Sequence, residues 1–229
     1  MRSPSSSARS ASRSTARAAD AVELLLIRHA EPVRIASGEV DGPADPGLTD
    51  RGTEQAARLA AWLAAEPIDV VVTSPLRRAR ETAAPLVSAL GIEAIVDPGV
   101  SEYDADSDEY IPIEELRATK DDRWFATIEG RWDDAGGVNP FEFQQFVVPA
   151  IDAIAGRSPG ARVAVVCHGG VINVYLAHVL GLATPLWFHP EYTSTSRVLV
   201  SRDGQRSVSS VNELAHLVGT RDRAADGGA

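Results

Sequence analysis

Two histidines stand directly after apolar runs that end abruptly. Leu24-Leu25-Leu26-Ile27 stops at Arg28-His29-Ala30-Glu31, and Val163-Ala164-Val165-Val166-Cys167 stops at His168-Gly169-Gly170. A third run, Asp69–Thr73, ends at Ser74-Pro75-Leu76-Arg77-Arg78-Ala79. Buried aliphatic runs of this length read as interior strands, and the carboxyl ends of parallel strands are where open α/β sheets place their ligand crevice. The residue types delivered there suit an anion that an imidazole attacks. Guanidinium groups supply the paired donors that a phosphate needs, and helix N-termini add free N–H groups. A neutral, oriented imidazole can attack phosphorus and later leave. A carboxyl group would then protonate the departing oxygen.

These side chains need a scaffold, and the patterning supplies one. Val22–Ile27 reads as the first strand, and Ala36–Gly47, rich in Gly and Pro, as a loop. Leu48-Thr49-Asp50-Arg51-Gly52 leads into a helix to about Ala65, with Ala56, Leu59, Ala60 and Leu63 on one face. The strand Asp69–Thr73 precedes a helix with Pro75 expected at its first position and Gly91 as its stop after Leu90. Glu93–Val96 reads as a short strand, followed by an acidic loop through Tyr110. Ile111–Trp132 is expected to be partly helical and irregular, and Asp133–Asn139 a turn. Phe141–Ala155 predicts a helix, Arg162–Cys167 a strand, and His168-Gly169-Gly170 the opening of a helix to Leu180. Ser196–Ser201 and Ser207–Val211 alternate as paired strands around an Asp203-Gly204 turn, adding an antiparallel edge. Strands alternating with helices predict an α/β fold, three layers deep, with a mostly parallel central sheet over residues 20–219.

Composition narrows the partners. The 229 residues are 44% hydrophobic and 24% charged, ordinary for a globular chain. The formal net charge is −10, and the arginines are over-represented in the tail, so the rest is more acidic still. That argues against nucleic acid or an anionic membrane as partner. No apolar run approaches the roughly 18 residues needed to span a bilayer. The single cysteine, Cys167, excludes an intramolecular disulfide and fits a reducing compartment, so a cytoplasmic location is expected. Residues 1–19, rich in Ser, Arg and Ala, share the composition of organelle transit peptides. They are read here as a disordered basic extension or a misassigned start, and residues 220–229 as a flexible end.

Taken in order, these segments resemble the histidine phosphatase superfamily, the phosphoglycerate mutase-like family. Leu26-Ile27-Arg28-His29-Ala30-Glu31 is similar to its signature, with Ala30 where glycine is more usual. Leu48–Ala56 resembles the following segment, Ser74–Ala79 with Thr82-Ala83 the second phosphate-binding motif, and Val166–Gly170 the second histidine motif. The resemblance covers about Val22 to Leu217. It implies the phosphoglycerate mutase-like fold, with His29 as a nucleophile that becomes phosphohistidine. Arg28, Arg78 and His168 would hold the phosphoryl oxygens, and His168 would also belong to the catalytic set. Glu102, in Val100-Ser101-Glu102-Tyr103, sits where the family places its proton donor. The Gly and Trp that often follow that glutamate are absent, which leaves Asp104 as the substitute candidate and a solvated loop carboxylate as the bland reading of Glu102.

The remaining candidates are read as structural. His178 falls in an apolar helix, His189 beside a proline, and His216 near the terminus; Arg77 is a surface residue and Cys167 a buried thiol. Trp124, Phe125 and Trp132 read as cap packing. No histidine pair has metal-ligand spacing with a nearby Cys, Asp or Glu, so no metal and no cofactor is expected. The expected activity is metal-independent hydrolysis of phosphomonoesters, with a small-molecule substrate, or alternatively a phosphoprotein. A cofactor-dependent phosphoglycerate mutase and a catalytically silent phospho-ligand binder are the alternatives. Asp104, Asp106, Asp108 and Glu109 form an acidic rim that would repel a bisphosphoglycerate. Residues Asp104–Asn139 are expected to cover the pocket and set the leaving group.

Overall fold

The computed structural model describes residues 21–129, 131 and 139–218. The basic tail, the C-terminal end, Trp132 and residues 133–138 of the expected turn lie outside the described residues. In chain order the elements are β1 (Val22–Arg28), α1 (Asp50–Leu63), β2 (Val70–Thr73), α2 (Arg77–Leu90) and β3 (Ala94–Val96), then α3 (Ile113–Thr119) and α4 (Asp122–Glu129). The second half gives α5 (Pro140–Gly156), β4 (Arg162–Cys167), α6 (Gly169–Leu180), β5 (Thr195–Val200) and β6 (Arg206–Glu213). The six strands form one sheet in the order β3-β2-β4-β1-β5-β6. β1, β4, β2 and β3 run parallel, and β5 and β6 close the far side as the antiparallel pair expected.

Period-2 alternation in the central strands builds the three layers. Leu24 and Leu26 of β1 join a core with Val147, Ile151 and Ile154 of α5 and Val171, Ile172 and Tyr175 of α6. Leu25 and Ile27 point the other way, into a second core with Leu59 and Leu63 of α1 and Ala79, Ala83 and Leu86 of α2. All four β1 aliphatics are fully buried. Each contributes roughly 1.5–3 kcal/mol, more than the ~1 kcal/mol net of a single ladder hydrogen bond. The strand that ends in Arg28-His29 is therefore anchored chiefly by its side chains.

Two boundaries differ from the sequence reading in instructive ways. Pro75 does not open α2. Ser74 Oγ accepts a hydrogen bond from the Leu76 N–H, making a turn, and Leu76 in an extended conformation becomes the N-cap. The helix then starts at Arg77, which puts Arg78 in its first turn. The irregular segment resolves into two short helices, α3 and α4. The stop at Gly91 is as expected, with the left-handed φ of 66° that glycine tolerates.

The segment between α6 and β5 has no regular structure, and one buried amide anchors its middle. Buried Asn173 accepts from the N–H groups of Trp187 and Phe188 through Oδ1, at 3.0 and 3.2 Å. Its Nδ2 donates to the carbonyls of Gly169 and Phe188. Removing it leaves four backbone polar groups without that partner. Asn173→Ala is expected to cost about 2–3 kcal/mol, read as a lower urea midpoint with an unchanged slope. A midpoint equal to wild type would show that the segment is held by something else.

Candidate functional site

Strand register brings the two histidines together. β1 and β4 are parallel neighbours with Arg28 opposite Cys167, so the next residue of each, His29 and His168, emerges at the same sheet edge. The backbone N–H of His29 continues the ladder to Cys167 O at 2.9 Å. The ring centroids lie 5.2 Å apart. β2 ends one strand further along, where the Ser74 N–H bonds to Val166 O and Ser74 Oγ lies 2.8 Å from His168 Nε2. Three adjacent strand ends thus deliver His29, His168 and Ser74 to one point.

The state of His29 follows from its neighbours. Its Nδ1 is 2.8 Å from the Ala30 carbonyl. A carbonyl only accepts, so Nδ1 carries the proton and Nε2 keeps the lone pair. Burial drives the imidazole pKa well below its ordinary value, and the positive charges of Arg78 and Arg28 push it the same way. His168 is depressed for the same reasons. Both rings are neutral across the physiological range.

Two arginines flank them. Arg28 and Arg78 are almost wholly buried, at 4% and 1% exposure, and each is held by a carboxylate. Arg28 NH1 donates to Glu114 Oε1 at 2.6 Å and to the Pro190 carbonyl at 2.7 Å. Arg78 NH2 donates to Asp104 Oδ1 at 2.7 Å. The Arg28 guanidinium also lies 4.1 Å from the centre of the Tyr192 ring, and that of Arg78 4.5 Å from Tyr110. Arg28 Nε, Arg78 Nε and His168 Nδ1 are buried without a hydrogen-bond partner among the described residues. The two arginine Nε–H groups are donors that an anion in the cavity could engage.

Glu102 lies against the start of α6, and its carboxylate accepts from the Gly170 N–H at 2.8 Å. Burial and the neighbouring Asp104 charge push its pKa up to about 7, against the opposing pull of that hydrogen bond and of Arg78. A Cβ on Gly170 would overlap Glu102 Oε1, so this approach requires glycine. Glu114 behaves oppositely. Burial alone would raise its pKa, but the His189 hydrogen bond and the Arg28 guanidinium hold it well below the ordinary carboxylate range.

All the residues singled out from the sequence therefore meet: Arg28, His29, Arg78, Glu102 and Asp104 line one cavity, and His168 sits behind His29. Arg77 is exposed and paired with Glu81, as expected. Cys167 is a buried thiol, as expected. His216 stacks on Trp62 and bonds Thr193 Oγ1, a structural role. His189, read as structural beside its proline, holds a place in the cavity wall. It contacts Glu114 at 3.1 Å. Glu114, Tyr192 and Tyr110 escaped the sequence reading altogether. Trp124 lines the cavity as part of the expected cover, and Phe125 is partly exposed. Among the described residues no cluster of three or more His, Cys, Asp or Glu side chains is disposed to hold a metal ion. No helix among them is long and apolar enough to cross a membrane.

Residues 24–213 match the family model described as histidine phosphatase superfamily (branch 1). The chain belongs to that superfamily. Phosphoserine phosphatase 1 of Hydrogenobacter thermophilus is 26% identical over 199 residues, covering 86% of this chain and 94% of that protein. "Probable phosphoglycerate mutase GpmB" of Yersinia enterocolitica is 29% identical over 166 residues, covering 70% and 76%. Among solved structures, mycobacterial glucosyl-3-phosphoglycerate phosphatase Rv2419c superposes with a TM-score of 0.69 at 21% identity, covering 85% of this chain and all of that one. A phosphoserine phosphatase mutant from Entamoeba histolytica, in complex with phosphoserine, gives 0.68 at 23% identity, covering 86% and 100%. This histidine phosphatase fold thus has the phosphoglycerate mutase-like architecture, and its relatives include both phosphatases and mutase-like proteins.

The glycine at 170 offers a direct check on the electrostatics of the histidine phosphatase site. In wild type the Glu102 carboxyl is expected to titrate near 7. Gly170→Ala displaces it toward solvent, and its pKa should fall toward about 4.3. A carbon-13 titration of the glutamate carboxyls reads this directly. An unmoved Glu102 resonance would mean that the carboxyl does not sit against the α6 terminus.

Proposed function

We propose that this protein hydrolyses phosphomonoesters through a phosphohistidine formed on His29. The observation that carries the reading is a buried, neutral imidazole with its Nε2 lone pair intact, lining one cavity with two guanidinium groups and a carboxyl group titrating near 7. In the first step His29 Nε2 bonds to phosphorus while the phosphorus–oxygen bond to the alcohol breaks. Glu102, protonated, gives its proton to the leaving oxygen. In the second step water attacks the phosphohistidine, Glu102 takes the water proton, and inorganic phosphate leaves with His29 restored. Arg28, Arg78 and His168 hold the phosphoryl oxygens and stabilise the charge on them through both steps. Glu102 fits the acid role better than Asp104, whose carboxylate is engaged by Arg78.

Transfer to a second hydroxyl, as in a mutase, needs a second phosphate to be held at the same time. The lining arginines Arg28 and Arg78 are each engaged with a carboxylate, His189 contacts Glu114, and Glu102 and Asp104 line the same cavity. Hydrolysis is the reading that this balance favours. Relatives named for phosphoserine and for glucosyl-3-phosphoglycerate support a small-molecule phosphomonoester as the substrate class.

Phosphate release by His29→Ala should fall on the order of 10⁴-fold or more below wild type, since no other group replaces the nucleophile. The same variant should take up no acid-labile phosphate from labelled substrate. Substantial residual turnover would sink the mechanism. Glu102→Gln should slow alkyl phosphates by roughly 10²–10⁴-fold and aryl phosphates with good leaving groups far less. The sign of the pH effect follows from the same group. Glu102 must be protonated for the first step, so kcat/KM for alkyl phosphates should decline as pH rises through about 7. That limb should vanish in Glu102→Gln, and its persistence would place the acid elsewhere.

A further inference from the structure

The cavity has a volume of about 450 Å³, in the range of pockets that enclose whole small molecules and far more than a phosphoryl group fills. Beyond the histidines and arginines its lining carries polar groups, among them Thr127 and Asn173, and two apolar groups. Ile113 and Leu116 of α3 and Trp124 of α4 form one group, and Leu186, Trp187 and Phe188 of the Asn173-held segment form another. Among the described residues, the first group belongs to neither hydrophobic core, and α3 contributes no buried residue of its own. Apolar side chains kept out of the core and beside a reactive centre mark a ligand-binding groove.

Charge in the lining is already committed. Arg28 meets Glu114 at 2.6 Å, Arg78 meets Asp104 at 2.7 Å, and His189 meets Glu114 at 3.1 Å. Arg28 and Arg78 are also the groups that hold the phosphoryl. Among the described lining residues, no further cation remains for a carboxylate on the leaving group, and Glu102 and Asp104 would repel one. From this we infer that the substrate's leaving alcohol is uncharged, bulky and apolar, seated between the α3–α4 wall and the Leu186–Phe188 segment. The inference rests on the hydrolase reading for its chemistry and on the lining alone for its specificity. Ile113, Leu116 and Trp124 are the specificity-determining residues that it assigns.

The test compares three phosphates whose leaving alcohols differ little in acidity: 3-phenylpropyl phosphate, propyl phosphate and 3-phosphoglycerate. In wild type, kcat/KM for the phenylpropyl ester should exceed that for the propyl ester by about 30-fold or more, the gain from burying a phenyl ring. It should exceed that for 3-phosphoglycerate by at least about 100-fold, because the carboxylate is both unpaired and repelled. Leu116→Arg, which adds a cation to the apolar wall, should lower the phenylpropyl-to-phosphoglycerate ratio by about tenfold or more. Equal rates for the phenylpropyl and propyl esters, or a preference for 3-phosphoglycerate, would overturn the inference while leaving hydrolysis intact. No phosphate release from any of the three would overturn hydrolysis instead. The lining is then read by calorimetry with two unreactive phosphonates. Tighter binding of 4-phenylbutylphosphonate than of propylphosphonate, by about 30-fold, supports the inference, and equal binding overturns it.

Discussion

The site depends on the parallel pairing of β1 with β4. Because Arg28 lies opposite Cys167, the residues that follow leave the sheet side by side, and two imidazoles come to rest 5.2 Å apart. Nothing local in either loop could set that distance. It is fixed by aliphatic side chains on both faces of both strands, packed into two separate helical layers. A register slip of one residue would turn each apolar set to the wrong face. The core thus forbids the slip that would also separate the histidines. Stability and site geometry are the same constraint here.

The second constraint is the charge that this arrangement buries. Burial, aided by two guanidinium groups, keeps the two imidazoles neutral, but guanidinium cannot shed its own charge. Each arginine therefore needs a carboxylate, and both carboxylates come from the segment after β3: Asp104 from the acidic loop and Glu114 from α3. That segment also supplies a short helix with no buried residue. The cover over the pocket is tied to the sheet largely by charge and hydrogen bonds, with Tyr192 donating to Glu114 Oε2 as a further tie. A cover held in this way can leave its apolar side chains facing the cavity without forfeiting its attachment.

This division explains what was legible in the sequence. His29, His168 and Arg78 could be read because they follow aliphatic runs whose strand character is unambiguous, and strand order puts such ends together. Glu102 was legible only through family resemblance, since its own neighbourhood carries no periodic pattern. Tyr192 and His189 lie in a segment without regular structure and Glu114 in a helix of only seven residues, and their meeting depends on the fold of that segment. The one available signal for Glu114 was a carboxylate following Ile111-Pro112-Ile113, an acidic residue in an apolar setting. Pro75 was placed at the helix start by propensity, but the Ser74 hydroxyl captured the Leu76 N–H and delayed the helix. Local hydrogen bonding of that kind competes with propensity and is hard to weigh without coordinates.

Glu102 shows how finely opposing terms are set in this site. The α6 terminus and Arg78 both favour its ionised form: the first through the 2.8 Å bond from Gly170 and the dipole end of a twelve-residue helix, the second through its charge. Burial and Asp104 favour the protonated form, and they prevail. Asp104 therefore acts twice, neutralising Arg78 on one side and holding a proton on Glu102 on the other. Burial is the larger of the two influences that hold the proton on Glu102, and the Asp104 charge adds to it. A group poised near neutrality can both give a proton to a leaving oxygen and take one from water. The proposed two-step chemistry asks the same carboxyl to do each in turn, and burial, Asp104, the Gly170 hydrogen bond and Arg78 together set that balance.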